Sequence, residues 1–536
     1  MATESNGLCV LGIEGTAWAA SAALYDSESE RTVIETEAYQ PESGGLHPRE
    51  AAEHMAEFLP EVIDRILASV REEYGASPAA VVDCVAFSRG PGLGPCLRLV
   101  GTSARALAQR LDVPLVGVNH MVAHLEIGRH HSGFESPVCL NASGANAHLL
   151  GYRAGRYRVL GETMDTGVGN AIDKFTRHVG WSHPGGPKVE KAARDGEYVE
   201  LPYVVKGMDF SFSGIMSAAK DAYDDGVPVE DVCCGLQETI FAMLTEVSER
   251  ALALTGSKEL VLGGGVGQNA RLREMLETMC EQRGASFFAP ENRFLRDNAG
   301  MIAILGAKMY AAGDTLPIEE SGIDSDFRPD EVPVTWRETD SPVGRDESGL
   351  IQGAESTVSI EDSSVIKRRH RRSYRHPRLD ERLRYERTRQ EARLLSEARR
   401  AGVPTPVIQD IDTTESTLTI QYVGEMDLRE EITAERVRTV ARQLATLHNA
   451  GFVHGDPTTR NVRVGETVFF IDFGLGYYTD DPEDYAMDLH VLAGSLAGTD
   501  DEAGALQRAA ADAYREVGSE RVVETLSEIE GRGRYQ

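Results

Sequence analysis

The chain has 536 residues, 41% of them hydrophobic, and a formal net charge of −30. This length exceeds what one hydrophobic core usually supports, so we expect two or three domains. The seven cysteines form neither a CxxC pair nor a disulfide framework, which excludes a zinc ribbon and favours a reducing compartment. No apolar run approaches the roughly 20 residues that cross a bilayer, and no signal-peptide pattern is present. We therefore expect a cytoplasmic protein with no membrane partner.

The negative charge does not by itself exclude a nucleic-acid partner. Acidic residues are spread along the whole sequence, which suggests adaptation to high salt. In molar salt the Debye length is about 3 Å, so distant carboxylates hardly affect a locally basic surface. An RNA partner remains compatible with this composition.

The first part of the chain alternates strand and helix patterns, as an α/β domain does. Residues 8–25 are typical of a hairpin with its turn at Gly12–Thr16, and residues 50–74 have helical periodicity. The segment AVVDCVAFSRGPG predicts a buried strand before a Gly/Pro loop. A helix from Leu97 to Leu111 and a further strand, PLVGV, follow.

A histidine pair follows that strand. His120 and His124 stand four apart in a segment without Pro or Gly, so on a helix both imidazoles would share one face. This spacing suits two metal ligands. A zinc-protease helix carries a glutamate general base directly after its first histidine, and Met121 occupies that position here, which disfavours a metalloprotease. The alternative is two unrelated polar residues.

The next apolar run, VCL, leads into a turn of small residues that could wrap backbone N–H groups around a phosphate. The turn consists of Asn141, Ala142, Ser143, Gly144, Ala145 and Asn146. Together with the strand that follows, this pattern resembles the first hairpin. The repetition indicates two related halves that close over one cleft.

Two later stretches carry further site candidates. In ELVLGGGVGQNARLREMLE, an apolar strand reaches Gly263–Gly265 and then a helix with Asn269 at its start, so a base or phosphate could approach the backbone closely. An ordinary strand-to-helix turn is the alternative. Asp297 and Asn298 stand at a helix start, where Asp297 is either an N-cap or an outward carboxylate ligand.

A second domain is predicted beyond a segment rich in Pro, Asp, Glu and Ser. We expect domains at residues 1–328 and 349–536 with a linker at 329–348. The second domain contains, in this order, a strand lysine, a helix glutamate, an aspartate followed five residues later by an asparagine, and the aspartate of a DFG triplet. These are Lys367, Glu391, Asp456, Asn461 and Asp472. Phosphoryl transfer to a hydroxyl needs these groups, so the order predicts a kinase or ATPase.

A basic run lies near the start of this second domain. Arg368–Arg378 could contact RNA phosphates, and a solvated or acid-paired surface is an equally good explanation.

With these motifs, residues 1 to about 328 resemble the universal tRNA threonylcarbamoyladenosine synthase subunit (the Kae/Gcp/TsaD family). Residues 349–536 resemble the small RIO-like atypical Ser/Thr kinase of the KEOPS complex, and the whole chain resembles the archaeal fusion of the two. The resemblance implies an α/β fold class: an actin/Hsp70-like (ASKHA) duplicated domain followed by a small protein-kinase-like, RIO-type α+β domain.

The resemblance also assigns residues to the first domain. It implies one iron or zinc ion held by His120, His124 and Asp297. A further family ligand is a tyrosine, at whose position Asn141 offers a neutral and weaker ligand. Glu14 stands where actin-like phosphotransferases carry aspartate. The implied contacts to nucleotide or threonylcarbamoyl-AMP are Asn141, Ala142, Ser143, Gly144, Ala145, Asp173, Gly186, Glu190, Gly264 and Asn269.

For the kinase-like domain, the resemblance implies ATP and Mg²⁺ as cofactors. Asp456, Lys367 and Glu391 would be catalytic, Gly353 and Lys367 would contact ATP, and Asn461 and Asp472 would bind Mg²⁺.

The function implied is transfer of threonylcarbamoyl from threonylcarbamoyl-AMP to the adenosine beside the anticodon of tRNAs that read codons starting with A. The fused kinase or ATPase would support or regulate this reaction together with other KEOPS subunits. Two other classes stay open: a metalloprotease with an attached kinase, and a nonenzymatic ATP-binding module. Mass spectrometry of bulk tRNA nucleosides after deletion of the gene distinguishes these two classes from the transferase.

Overall fold

The computed structural model describes residues 7–39, 47–144, 146–153, 155–337, 351–352, 356–361, 363–499 and 502–532. The chain divides into two compact units. The first comprises Met1–Leu201, Phe212–Phe241 and Thr255–Pro342, and the second comprises Pro202–Ser211, Ala242–Leu254 and Val343–Gln536. The last boundary between the two units, between Pro342 and Val343, falls inside the predicted linker. The predicted first domain, however, is not continuous, because two of its short segments belong to the second unit.

The first 201 residues contain eight strands and six helices in the described part. They are β1 (Cys9–Glu14), β2 (Ala19–Asp26), β3 (Arg31–Ala38), α1 (Pro48–Tyr74), α2 (Pro78–Val81), β4 (Cys84–Gly90), α3 (Gly94–Leu111), β5 (Leu115–Asn119), α4 (His120–Ser132), β6 (Val138–Ala142), β7 (Ala147–Arg153), β8 (Arg156–Glu162), α5 (Val168–His178) and α6 (Gly186–Ala193). The middle of the chain adds β9 (Val205–Lys206), β10 (Asp209–Phe210), α7 (Ser213–Asp224), α8 (Val229–Thr255), β11 (Glu259–Gly263), α9 (Ala270–Arg283), β12 (Ser286–Phe288), α10 (Asn292–Leu295) and α11 (Ala299–Ala311).

Two five-stranded sheets of the first unit share one topology. Their strand orders are β3-β2-β1-β4-β5 and β8-β7-β6-β11-β12. In each, three strands run antiparallel as a meander, and the first strand of that meander pairs in parallel with the fourth strand of the sheet. The fifth strand is again parallel. The predicted repetition of the hairpin therefore extends to a whole sheet, with the β1–β2 turn slightly later than Gly12–Thr16.

Apolar clusters among the described residues stabilise this unit. One face of the first sheet packs on α1 and α3, since the helical spacing of Met55, Leu59, Val62 and Ile66 places these side chains on one stripe. A second core joins strands of both sheets to α4 and α11. At Gly12 of β1, an added Cβ would lie 2.4 Å from the Ala299 carbonyl oxygen, so the approach of α11 to the sheet requires glycine.

The remaining elements belong to the second unit. They are β13 (Ile351–Gln352), β14 (Ser356–Glu361), β15 (Ser364–Arg369), α12 (Pro377–Arg400), β16 (Ile408–Asp412), β17 (Thr417–Gln421), β18 (Met426–Asp427), α13 (Ala434–Asn449), β19 (Phe452–Val453), β20 (Val462–Val464), β21 (Val468–Phe470), β22 (Tyr477–Tyr478), α14 (Pro482–Ala497), α15 (Ala503–Arg515) and α16 (Glu520–Arg532).

A five-stranded sheet opens this unit, in the order β13-β14-β15-β17-β16. Helix α12 joins β15 to β16, and mostly helical structure follows. One apolar core links α12, the sheet and helices α13 to α16 through Leu394, Leu418, Leu444, Leu492, Leu506 and Val522. Both units thus combine sheets and helices, which confirms the mixed α/β class. Within the described residues, no helix is both long and apolar enough to span a membrane.

Candidate active sites

The histidine pair lies on a helix, as its spacing predicts. Asn119 caps α4, and its side chain accepts hydrogen bonds from the backbone N–H groups of Met121 and Val122. His120 is the first residue of the helix, and His124 follows one turn later with only 1% of its surface exposed. The two imidazole rings lie 4.8 Å apart. The cap therefore starts the helix where both rings share one face.

Asp297 completes a cluster with the two histidines. The capping role at α11 belongs to Asn298, whose side chain accepts from the Met301 N–H, so Asp297 is not the N-cap. Its Oδ1 lies 3.4 Å from His120 Nε2 and 3.3 Å from His124 Nε2. The potential donor atoms of the three side chains all lie within 4.8 Å of one another. The structure thus brings together two elements that are far apart in sequence.

Glu14 at the end of β1 holds the first histidine. Its Oε2 lies 3.1 Å from His120 Nδ1, and its Oε1 accepts from the backbone N–H and the hydroxyl of Thr16. Burial opposes protonation of His120, but the charges of Glu14 and Asp297 outweigh it and raise the histidine pKa to about 10. Burial lowers the pKa of His124. The Asp297 pKa is lowered, because the two histidines outweigh its burial.

These donors fit a transition-metal ion. Two imidazoles and one carboxylate form the ligand set typical of non-haem iron(II), and zinc also binds such sets. The carboxylate of Glu14 behind His120 is the outer partner that a metal-bound histidine usually has. Asn141, at the end of β6, is buried beside this cluster, and its amide oxygen has no hydrogen-bond partner in the part of the chain that the structure describes.

The predicted phosphate turn lies at the carboxyl ends of two parallel strands, β6 and β11, a common ligand position in α/β folds. Ala142 ends β6, and the Ser143 and Gly144 carbonyl oxygens accept from the N–H groups of Gly169 and Asn170 at the start of α5. Ala145 lies outside the described residues.

The other predicted nucleotide contacts have protein partners of their own. Asp173 Oδ1 accepts from the N–H of Gly185 at 2.7 Å, which holds the start of α6, where Gly186 is the first residue. Glu190 of α6 accepts from the Ala270 N–H at 3.1 Å. Asn269 caps α9 by accepting from the Arg271 N–H, so it has a structural function, and its contact with a nucleotide stays a prediction.

One buried histidine beside the cluster escaped the sequence analysis. His148 of β7 pairs directly with Asn141 of β6, and only 2% of its surface is exposed. Burial, together with the charges of His124 and His120, lowers the pKa of His148 to about 3. The sequence held one signal for this residue: in a hairpin with its turn at Ser143 and Gly144, His148 lies opposite Asn141.

In the second unit, the lysine and glutamate of the kinase-like pattern meet. Lys367 Nζ on β15 lies 2.9 and 3.0 Å from the two carboxylate oxygens of Glu391 on α12. It also lies 2.6 Å from Oδ1 of Asp472. Arg369, which lies on β15 with Lys367, also pairs with Glu391. The predicted ATP contact Gly353 lies outside the described residues.

The predicted catalytic aspartate lies in the loop after β19. Its neighbour Asn461 donates to Asp456 Oδ2 at 2.9 Å. The buried carboxylate of Asp488 accepts from the N–H groups of His454 and Gly455, which holds this loop on α14. The sequence analysis missed Arg250 of α8, whose guanidinium lies 3.3 Å from Asp456 Oδ2. A local sequence pattern cannot predict this pair, because its two residues are far apart in the chain.

The basic run Arg368–Arg378 is divided between the surface and the interior. Arg368, Arg371 and Arg378 are exposed, whereas Arg369, Arg372 and Arg375 are buried. The buried arginines pair with carboxylates, among them Glu249 for Arg372 and Glu246 for Arg375. The three buried arginines therefore agree with the alternative of an acid-paired surface, and the three exposed ones leave contact with RNA open.

Comparison with known proteins covers nearly the whole chain. Residues 29–304 match the TsaD family, tRNA N6-adenosine threonylcarbamoyltransferase. A probable bifunctional tRNA threonylcarbamoyladenosine biosynthesis protein of Haloarcula marismortui is 68% identical, covering 98% of this chain and 100% of that protein. Its namesake in Halobacterium salinarum is 69% identical, covering 98% of both chains. The namesake in Methanospirillum hungatei is 50% identical over 98% of this chain and 99% of its own.

Proposed function

This chain belongs to the TsaD family of tRNA N6-adenosine threonylcarbamoyltransferases, and from that premise we propose the reaction of its first unit. The unit transfers the threonylcarbamoyl group from threonylcarbamoyl-AMP to the adenosine beside the anticodon of tRNAs that read codons starting with A. The observation that supports this best is the cluster of His120, His124 and Asp297 in the same unit as the glycine turns that end β6 and β11.

The metal centre of this proposal consists of His120, His124 and Asp297. An iron or zinc ion bound there would supply Lewis acidity toward the oxygen atoms of the acyl-adenylate. The chain's own part is to hold these donors: the Asn119 cap fixes the helix start, Glu14 orients His120, and the Asn298 cap leaves Asp297 facing the histidines.

The glycine turns would hold the nucleotide part of the substrate. The turn at Ser143 and Gly144 is fixed against the start of α5, because its carbonyl oxygens accept from the Gly169 and Asn170 N–H groups, and it lies at the carboxyl ends of β6 and β11. Asp173 and Glu190 add carboxylate acceptors suited to hydroxyl groups. Holding the adenylate and the adenosine amine together replaces a bimolecular encounter with an oriented one.

The chemistry needs no protein nucleophile. The N6 amine of adenosine attacks the carbonyl carbon of the mixed anhydride, a C–N bond forms, and the C–O bond to the phosphate of AMP breaks. The amine gives up one proton to solvent, and AMP leaves with the electron pair of the broken bond. The protein contributes orientation and exclusion of competing water.

For the second unit we propose a kinase or ATPase activity that supports or regulates the transferase within a KEOPS assembly. Lys367, held by Glu391, would bind ATP phosphates, Asn461 and Asp472 would hold Mg²⁺, and Asp456 would accept the proton of the attacking hydroxyl or water. The helix-to-strand ion pair at 2.9 Å supports this assignment. The repeated sheet topology likewise supports an actin/Hsp70-like class for the first unit.

Deletion of the gene followed by mass spectrometry of bulk tRNA nucleosides tests the proposed transferase. We expect threonylcarbamoyladenosine to disappear and to return when the full chain is supplied from a plasmid. Unchanged threonylcarbamoyladenosine in the deletion strain would contradict the proposal. A chain carrying Arg49→Ala, an exposed position, is the matched control for restoration.

A further inference from the structure

The two clustered histidines differ in how their outer nitrogen atoms are held. His120 Nδ1 lies against Glu14, whose carboxylate is fully buried and fixed by Thr16. His124 Nδ1 is also buried, but it has no hydrogen-bond partner among the described residues. Both histidines turn Nε2 toward Asp297. A neutral imidazole that ligates a metal through Nε2 carries its proton on Nδ1, so His124 needs an acceptor behind it.

We propose that Asn141 supplies this acceptor and that His148 holds the Asn141 amide in the required orientation. Asn141 and His148 would thus be positioning residues for His124, as Glu14 is for His120. The inference rests on the proposed metal centre of the first unit. It assigns Asn141 to the outer side of His124 and gives a function to His148.

The space between β6, β11 and α4 supports this assignment. The oxygen Oδ1 of Asn141 is buried and has no hydrogen-bond partner among the described residues. A Cβ built on Gly263 would lie 3.5 Å from Asn141 Oδ1 and 3.5 Å from the His124 Cβ, so both side chains border the same glycine. The two side chains that carry the orphaned donor and the orphaned acceptor therefore border one glycine. The two atoms make no hydrogen bond to each other in this structure, and pairing them would satisfy both.

Gly264 leaves room for the amide. A Cβ at this position would lie 2.6 Å from Asn141 Oδ1 and 2.3 Å from the Ala142 carbonyl oxygen. Its φ of 84° also lies in the region that favours glycine. The glycine therefore accommodates the Asn141 side chain in addition to any ligand that approaches the turn.

His148 determines which end of the amide faces His124. The two residues are direct cross-strand partners, and Asn141 Nδ2 lies 3.5 Å from His148 Nε2. An imidazole nitrogen that accepts a hydrogen bond attracts the NH₂ end of the amide, which leaves the oxygen end on the other side. Replacing His148 with an apolar residue would remove this preference, whereas glutamine would keep an acceptor.

The test measures binding of Co²⁺ alone to the full chain, by competition with a chelating dye. We expect Asn141→Ala and Glu14→Gln each to weaken Co²⁺ affinity by about 10- to 100-fold, the usual effect of removing an outer partner. His148→Leu should weaken it by about 10-fold, and His148→Gln should restore it to within about threefold of the unchanged chain. The double variant Asn141→Ala/His148→Leu should bind no more weakly than Asn141→Ala, since His148 acts through Asn141.

The visible spectrum of the saturated Co²⁺ complex separates an outer partner from a ligand. An outer role predicts that Asn141→Ala retains the band intensity of the unchanged chain, because the number of ligands stays the same. A changed intensity would make Asn141 a ligand and overturn the assignment. His178→Leu, an exposed histidine of the same unit, controls for unrelated losses and should bind Co²⁺ normally.

Each outcome decides a different claim. Equal Co²⁺ affinity in the unchanged chain and in Asn141→Ala overturns this inference and leaves the metal centre intact. Failure of the unchanged chain to bind Co²⁺, Fe²⁺ or Zn²⁺ overturns the metal centre itself, and this inference with it. If Asn141→Ala does not fold, the pair His148→Leu and His148→Gln carries the test, and equal affinities of these two variants contradict the proposal.

Discussion

The cluster around His120 in the first unit and the cluster around Lys367 and Asp456 in the second differ in how their charged groups are paired. In the first, three side chains turn donor atoms toward one another, and buried polar atoms beside them lack partners among the described residues. In the second, Lys367 is paired with Asp472, and Asp456 is paired with Arg250. Under the proposed functions, the first cluster would be preorganised for its metal ion, whereas the second would have to exchange protein ion pairs to bind ATP and Mg²⁺.

Loss of a metal donor should give the largest effect and should break the first site alone. We expect His120→Ala to abolish tRNA modification, because removal of a proposed ligand would disable the centre's Lewis acidity. ATP turnover by the same chain should stay within about twofold. Nucleoside mass spectrometry and an ATPase assay measure the two effects. His178→Ala is the control, and full modification by the His120 variant would refute the metal's role.

A substitution in the second unit should abolish ATP turnover and leave the first site unaffected. Asp456→Ala is expected to lower ATP turnover by about 10²- to 10⁴-fold, the range for removing a general base. Asp410→Ala, an exposed position in the same unit, is the matched control. An unchanged ATPase rate in the Asp456 variant would place the catalytic base elsewhere and end the comparison between the two clusters.

A third change tests whether α4 depends on a buried charge away from the histidines. Glu126 lies 2.9 Å from Arg129 and 3.1 Å from Lys308, and it accepts from the Tyr157 hydroxyl at 2.7 Å. Glu126→Gln should lower the free energy of unfolding by about 3–5 kcal/mol, because cations in a buried network lose their partner. Denaturant unfolding followed by circular dichroism measures this change.

The stabilisation from Glu126 also has a defined pH dependence. Burial raises the pKa of this carboxyl, but Lys308 and Arg129 outweigh burial and lower it from 4.5 to about 2. The contribution is therefore fully present above pH 4.5 and is lost as the pH falls toward about 2. The exposed Glu53 is the control, since Glu53→Gln should change stability by less than about 1 kcal/mol. Equal stability losses in both variants would contradict the network's importance.

The smallest expected effect is an increase in ATP turnover. Arg250→Ala removes the cation that neutralises Asp456, so the carboxylate becomes available as an acceptor, and ATP turnover should rise about fivefold. Arg250→Lys keeps the positive charge and should leave the rate near that of the unchanged chain. A steady-state ATPase assay of the full chain compares the three proteins. A lower rate in Arg250→Ala would mean that the arginine supports catalysis.

Local pattern predicted the positions of most elements near the sites. The apolar spacing in residues 50–74 gave α1, and the histidine spacing gave the face of α4, because both signals lie within a few turns of one helix. Asn298 explains why Asp297 is free to face the histidines, but both residues are common N-caps, so the sequence left that choice open.

Partners that meet through tertiary packing were not predictable in this way. Glu14 and His120 are 106 positions apart, and Arg250 and Asp456 are 206 apart, so no window of sequence contains either pair. The exposure of Arg371 and the burial of Arg372 are likewise decided by acids supplied from elsewhere in the chain. The membership of residues 242–254 in the second unit has the same origin.

That discontinuous membership has a consequence for synthesis on the ribosome. Glu246 and Glu249 of α8 leave the ribosome more than a hundred residues before Arg372, Arg375 and Arg387, the arginines that pair with them. Until those arginines follow, the two acids stay hydrated, and this part of α8 lacks the partners that bury it. The second unit is therefore completed only after translation has passed α12, although its first segment is made before residue 212.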